Sequence, residues 1–89
     1  MDIFVHPRVS EKHPEIAEED VKAAWENFIA MFFREGKQVG HVLALGIDRS
    51  GRTIEMVAAM SEDGYLVYHA ITPPTEAALK ELGLTGGKQ

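Results

Sequence analysis

Two turn signals divide the second half of the chain and constrain its fold more than any other feature. Asp48-Arg49-Ser50-Gly51 and Glu62-Asp63-Gly64 both have the composition of tight β-turns. They separate three β-rich segments, at residues 41–47, 52–60 and 65–71. Because the connections are short, neighbouring segments should pair antiparallel in sequence order. The sequence therefore predicts a three-stranded antiparallel β-meander.

The most prominent predicted helix begins at an acidic first turn, Glu18-Glu19-Asp20, which complements the helix dipole. Apolar residues then recur every three or four positions as far as Phe32, and Gly36 ends the helical region. This stripe predicts packing against the sheet. The helix carries more apolar residues than one stripe needs, so we expect its far half to bind a partner protein or a second copy of the chain. The residues expected at that interface are Phe28, Ile29, Met31, Phe32 and Phe33.

Two shorter helices complete the predicted fold. The first covers about residues 7–13, because Pro14 disfavours a helical conformation in the residue before it. The last is predicted to be capped by Thr72, with Pro73 at its first position and Gly83 at its end. The predicted class is α+β: two N-terminal helices, the three-stranded antiparallel β-meander and a short C-terminal helix.

Composition limits the size of the fold and the kinds of site it can carry. The 89 residues predict one domain, residues 1–84, followed by a flexible tail at 85–89. Cysteine is absent, which excludes disulfides and thiolate metal sites, and the four histidines lack the close spacing of a zinc site. We therefore expect no metal and no cofactor. No signal peptide and no membrane-spanning apolar run are present, so we expect a cytoplasmic protein without membrane contact.

Positive charge is scarce but locally grouped. Nine basic and fourteen acidic residues give a net charge of −5, the opposite of a generic nucleic-acid binder. Arg8 and Lys12 are four residues apart on the first helix, with His13 beside them, and Arg49 and Arg52 flank the start of the middle strand. Paired guanidinium groups can hold a phosphate through two hydrogen bonds each. The alternative is that these side chains only keep the surface soluble.

Two further side chains are candidates for acid–base chemistry. His69 lies near the end of the third strand, where alternation would place Val67 and Ile71 on the same face. A partly buried imidazole can act as a general acid or base near neutral pH. Glu55 lies on the middle strand in a similar setting. The alternative is a structural histidine bonded to the backbone and a solvent-facing glutamate.

The order of elements, together with several local sequences, resembles the RelE/BrnT-like toxins of bacterial toxin–antitoxin systems, and most of all the compact relatives of BrnT. The likeness covers about residues 3–84 and rests on these segments: His6-Pro7-Arg8-Val9, His13-Pro14, Ile16-Ala17-Glu18-Glu19-Asp20-Val21, Trp25-Glu26-Asn27, Leu45-Gly46-Ile47-Asp48-Arg49-Ser50-Gly51-Arg52 and Leu66-Val67-Tyr68-His69-Ala70-Ile71-Thr72-Pro73.

The resemblance implies a RelE/BrnT-like fold and an endoribonuclease that acts on mRNA, free or on the ribosome, without a metal. It also implies a cognate antitoxin that neutralises the enzyme. Cleavage needs a base for the 2′-hydroxyl, a cation for the phosphate and an acid for the leaving oxygen. The residues assigned on this basis are His69, Glu55 and Arg52 as catalytic, with Arg8, Lys12, His13 and Arg49 as RNA-binding. The alternative, from a different class, is a non-catalytic interaction module that uses the apolar face of the second helix.

Overall fold

The computed structural model describes residues 2–34 and 40–84, and the predicted tail at 85–89 and Gly36 lie outside these ranges. Within them the elements follow in the order β1 (Asp2–Val5), α1 (Arg8–Lys12), α2 (Glu18–Glu26), β2 (Phe28–Arg34), β3 (His41–Ile47), β4 (Thr53–Ser61), β5 (Gly64–Ile71) and α3 (Glu76–Glu81).

The five strands in the described ranges form one mixed sheet, in the order β1-β5-β4-β3-β2. β1 runs parallel to β5, and every other neighbouring pair is antiparallel. The three predicted strands correspond to β3, β4 and β5 and do pair in sequence order. The prediction of a three-stranded meander is nevertheless wrong, because β1 and β2 add one strand at each edge. The helix-helix-meander-helix order expected from the RelE/BrnT-like resemblance is wrong for the same reason.

The second helix is much shorter than its apolar spacing predicts. α2 ends at Glu26, and both the backbone and the side-chain amide of Asn27 donate to the carbonyl of Ala23, at 3.0 Å each. The chain then leaves the helix and pairs with β3. Its next six residues are aromatic, β-branched or otherwise apolar, a composition that suits a strand packed on a neighbour. Strand pairing therefore overrides a helical periodicity that continues past the real helix end.

This correction moves the residues predicted to bind a partner from a helix to an edge strand. Met31 is half-buried and packs against the core, and the other four are exposed: Phe28, Ile29, Phe32 and Phe33. The predicted apolar helix face therefore does not exist, but an apolar strand does.

The main core lies between the sheet and the two N-terminal helices. Its buried residues come from both layers: Val9, Ile16, Val21, Ala24, Ala44, Ile54, Met56, Ala58, Val67 and Ala70. α2 approaches β3 so closely that a Cβ on Gly46 would collide with the carbonyl oxygen of Ala24. A smaller cluster lies on the opposite face, where Leu43 and Val57 pack against Ala78 of α3.

The last helix begins later than predicted but ends as predicted. Thr75 is the N-cap, and its hydroxyl oxygen accepts a hydrogen bond of 3.1 Å from the backbone N–H of Ala78. Thr72 is not the cap, because its hydroxyl donates to the carbonyl of Thr53 instead, at 2.7 Å. At the other end Gly83 has a φ of 74°, and the N–H of Leu84 bonds the carbonyl of Leu79 at 2.8 Å. This is the left-handed stop expected of a Schellman ending.

Candidate active site

A cavity of about 480 Å³ lies between α1 and the C-terminal half of β5. β1 pairs with β5 only as far as Val5, opposite Val67, and the N–H of His6 then donates to the carbonyl of Val67 at 2.8 Å. Beyond that point α1 packs beside β5 instead of another strand. The cavity is lined by Arg8, Val9, Glu11, Lys12, His13, Tyr68, His69 and Ala70.

A β-bulge sets the direction of the side chains on the sheet side of this cavity. The pairing of β4 with β5 jumps from Val57–His69 to Ala58–Val67, which leaves Tyr68 as an extra residue. A bulge of this kind re-aims side chains and is common near functional sites. In a regular strand Val67 and His69 would lie on the same face, but the bulge puts them on opposite faces of the sheet. Val67 is a buried core residue, whereas His69 borders the cavity.

His69 and Glu55 form a direct pair. The imidazole Nε2 lies 2.8 Å from Oε2 of Glu55. The other carboxylate oxygen, Oε1, accepts from the backbone N–H of Thr75 at 2.9 Å and from its hydroxyl at 2.8 Å. Glu55 is thus held by three donors, one of them the cap of α3, and its side chain is 8% exposed.

These donors keep Glu55 ionised. Burial by itself raises the pKa of this carboxyl, but the hydrogen bonds from His69 and from Thr75 outweigh burial and lower the pKa below its usual value. An ionised carboxylate only accepts hydrogen bonds, so Nε2 of His69 carries a proton and Nδ1 is the ring nitrogen left to exchange one. Glu55 therefore fits the role of a residue that orients the imidazole better than that of an acid.

Three of the predicted RNA-binding residues meet His69 at the cavity. Arg8 and Lys12 reach it from the exposed side of α1, and His13 follows directly after that helix. The Nδ1 of His13 lies 3.7 Å from a carboxylate oxygen of Glu15. Glu11 is the one acidic residue among those that line the cavity. The cavity is a basic site on an acidic chain.

The other two predicted residues lie elsewhere. Arg49 is exposed in the β3–β4 turn, and neither it nor Arg52 is among the residues that line the cavity. The Arg52 guanidinium donates to Asp48 at 2.8 Å, to Asp20 at 3.1 Å and to the carbonyl of Glu15 at 3.0 Å. Its donors are used to tie the turn to the start of α2, which is a structural role.

Asp48, the partner of Arg52, is the clearest acid-sensitive group. Its side chain is 1% exposed, and it accepts hydrogen bonds from Ser50 and from both the backbone and side chain of Arg52. Burial raises its pKa, but these hydrogen bonds outweigh burial and lower the pKa to about 2. A depressed pKa in the folded state adds stability above the unfolded pKa, near 4, and that stability disappears as the pH falls toward 2.

We expect Asp48→Asn to lower the free energy of unfolding at neutral pH by about 2 kcal/mol, because charge-assisted hydrogen bonds to a buried group are lost. The variant should also lose less stability than wild type between about pH 4 and pH 2. Urea unfolding at several pH values measures both effects. Asp63→Asn, in the exposed β4–β5 turn, is the matched control. Parallel pH curves for wild type and Asp48→Asn would contradict this account.

Tyr68 and Thr75 are two of the site residues that were not predicted from the sequence. Tyr68 lines the cavity because of the bulge, which leaves no mark in the apolar pattern. Thr75 holds Glu55 and caps α3; a threonine just before Glu76 is a normal cap signal, but Thr72-Pro73 gives a competing one.

Neither a metal centre nor a membrane span is present in the described part of the chain. Within residues 2–34 and 40–84, no group of three His, Cys, Asp or Glu side chains could hold a metal ion. None of the helices in these ranges has the length and apolar character needed to cross a bilayer. Comparison of the chain with protein-family models, with curated proteins and with solved structures finds no match.

Proposed function

We propose that this chain is a metal-independent endoribonuclease that acts in the cytoplasm as the toxin of a toxin–antitoxin system. The observation that carries the enzymatic part is the His69–Glu55 pair, 2.8 Å apart, beside a cavity that also contains Arg8 and Lys12. The cavity volume of about 480 Å³ falls within the usual range of small-molecule sites. An oriented base next to cations is what cleavage by the RNA 2′-hydroxyl needs.

In the proposed mechanism His69 is the general base. Its Nδ1 takes the proton of the 2′-hydroxyl, and the 2′-oxygen attacks the adjacent phosphorus. Glu55 holds the ring by Nε2, and its negative charge lies next to the positive charge that the ring carries once Nδ1 has taken this proton. Glu55 touches neither the nucleotide nor the phosphate in this mechanism, so its role is positioning.

The remaining cavity residues complete the proton and charge balance. Arg8 and Lys12 neutralise the phosphate as negative charge builds on its oxygens. The bond from phosphorus to the 5′-oxygen breaks, and His13 gives a proton to that leaving oxygen. The products are a 2′,3′-cyclic phosphate and a 5′-hydroxyl. No step calls on Arg52 or Arg49, which lie outside the cavity.

The toxin role comes from the resemblance to RelE/BrnT-like proteins rather than from the cavity. The order of elements no longer supports that resemblance. The resemblance now rests on the local segments alone. Two of these segments border the cavity, from α1 and from β5: His6-Pro7-Arg8-Val9 and Leu66 to Pro73. A cognate antitoxin is the partner that this role requires, and mRNA, free or on the ribosome, is its substrate.

A matched pair of arginine variants tests the site. We expect Arg8→Ala to reduce kcat/KM for an RNA oligonucleotide roughly tenfold, because a charge-assisted contact to phosphate is lost. Arg49→Ala removes the same charge from an exposed turn outside the cavity and should leave cleavage unchanged. Equal losses in the two variants would indicate general electrostatic attraction and contradict the proposed site.

The cellular part is tested separately, by induced expression of the chain in a bacterial host. Growth arrest that Arg8→Ala relieves and Arg49→Ala does not would support the toxin role. Normal growth with soluble wild-type protein that cleaves RNA in vitro would contradict the toxin role but leave the enzyme intact.

A second candidate function is a non-catalytic interaction module. It is favoured by the exposed apolar residues of β2 and by the net charge of −5, which opposes RNA binding. The module predicts no cleavage by pure wild-type protein, whereas the enzyme predicts cleavage that depends on His69.

A further inference from the structure

β2 lies at one edge of the sheet, and in the described residues no other strand pairs with its outer edge. This edge supports an inference that goes beyond the proposed enzyme. β2 is the last strand in the sheet order, with β3 on its inner side. An edge of this kind presents unpaired backbone N–H and C=O groups, for which the complementary ligand is another extended strand.

The side chains of β2 do nothing to block such pairing. Phe32 and Phe33 project on opposite faces, opposite Leu43 and Val42 of β3, and are 44% and 45% exposed. Free edges are usually protected from pairing by charged residues or proline, and the strand has neither from Phe28 to Phe33. A bulge at Ile29 interrupts the pairing with β3, so the regular part of this edge begins at Ala30 and includes Phe32 and Phe33.

We propose that the outer edge of β2 pairs antiparallel with β2 of a second copy of this chain, which forms a closed two-fold dimer with a continuous sheet. The occupant must be an extended segment that is apolar on both faces, and β2 itself meets this requirement. Two copies with a net charge of −5 repel each other over most of their surface. The stretch from Phe28 to Phe33 is neutral, and the guanidinium of Arg34, which follows it, bonds Glu81 of the same chain at 2.8 and 3.0 Å.

The exposed area sets the expected strength of this dimer. Phe28, Phe32 and Phe33 are each about half exposed, which at roughly 200 Å² per phenylalanine gives about 300 Å² of apolar side chain per copy. Stable interfaces bury about 800 Å² per partner. The dimer is therefore weak and depends on protein concentration. Pairing uses up the β2 edge of both copies, so association stops at two.

Sedimentation of the purified full chain over a wide range of concentration tests the proposal. Wild type should pass from monomer to dimer, and Phe32→Lys and Phe33→Lys should each remain monomeric while retaining the wild-type circular dichroism spectrum. Phe4→Lys is the matched control, because Phe4 is 46% exposed on β1 at the opposite edge of the sheet. This variant should still form dimers.

A wild type that stays monomeric at every concentration would overturn the proposal, even if it associates with a different protein. Dimers that persist in both β2 variants, or that disappear in Phe4→Lys, would also overturn it. So would open-ended association beyond the dimer. None of these outcomes depends on RNA cleavage, so the dimer and the enzyme can fail independently.

Discussion

Replacing His69 with alanine is expected to slow RNA cleavage about 100- to 10,000-fold, the usual contribution of a positioned general base. His69 is the cavity imidazole that an ionised carboxylate orients, and in the proposed mechanism no other group takes the 2′-hydroxyl proton. Its side chain is 37% exposed, so the domain should stay folded. Single-turnover cleavage of an RNA oligonucleotide measures the loss, and circular dichroism checks the fold.

His41→Ala provides the matched control for this experiment. His41 begins β3 and is not among the residues that line the cavity; its ring packs edge-on against Tyr68, with centroids 5.7 Å apart. We expect cleavage by His41→Ala to stay within a few-fold of wild type. A His69→Ala variant that cleaves as fast as His41→Ala would show that the His69 imidazole has only a structural role.

The second large effect is on stability, at the contact between α2 and β3. Gly46→Ala should lower the free energy of unfolding by about 3 kcal/mol, at the upper end of the usual cost of overpacking. The new Cβ would collide with the carbonyl oxygen of Ala24, a backbone atom that cannot rotate away as a side chain would. α2 must then shift from the sheet. In a domain of this size the midpoint of thermal unfolding should fall by roughly 10–20 °C.

Gly83→Ala is the control for this prediction, because a Cβ there meets nothing within 4 Å. Gly83 has a φ of 74°, so alanine is strained at that position and should cost about 1 kcal/mol. The two variants should therefore differ clearly in thermal unfolding. If Gly46→Ala is as mild as Gly83→Ala, α2 does not pack on β3 as closely as described.

The centre of the fold could be predicted from the sequence because its signals are local. The turns at Asp48–Gly51 and Glu62–Gly64 define three strands that pair in order, and Gly83 marks the end of α3. The edges could not be predicted in this way. The apolar spacing of Val21 and Trp25 continues through Phe28 and Phe32, although the helix ends at Glu26, because pairing with β3 decides the conformation of β2.

Five residues of the candidate site could be predicted from the sequence, but their arrangement could not. Arg8, Lys12 and His13 are close in sequence, whereas His69 is far from them and meets them only because β1 places α1 beside β5. That long-range parallel pairing has no local signal. In the sequence Arg52 looks like a phosphate-binding arginine. In the structure its guanidinium donates a hydrogen bond to the buried Asp48, four residues earlier.

The most direct test of the central claim is cleavage of an RNA oligonucleotide by purified wild-type protein in the presence of a metal chelator, with analysis of the product ends. The products should end in a 2′,3′-cyclic phosphate and a 5′-hydroxyl, and no cleavage should occur at a position where the 2′-hydroxyl is replaced by hydrogen. Intact RNA, or cleavage that continues at the 2′-deoxy position, would contradict the central claim.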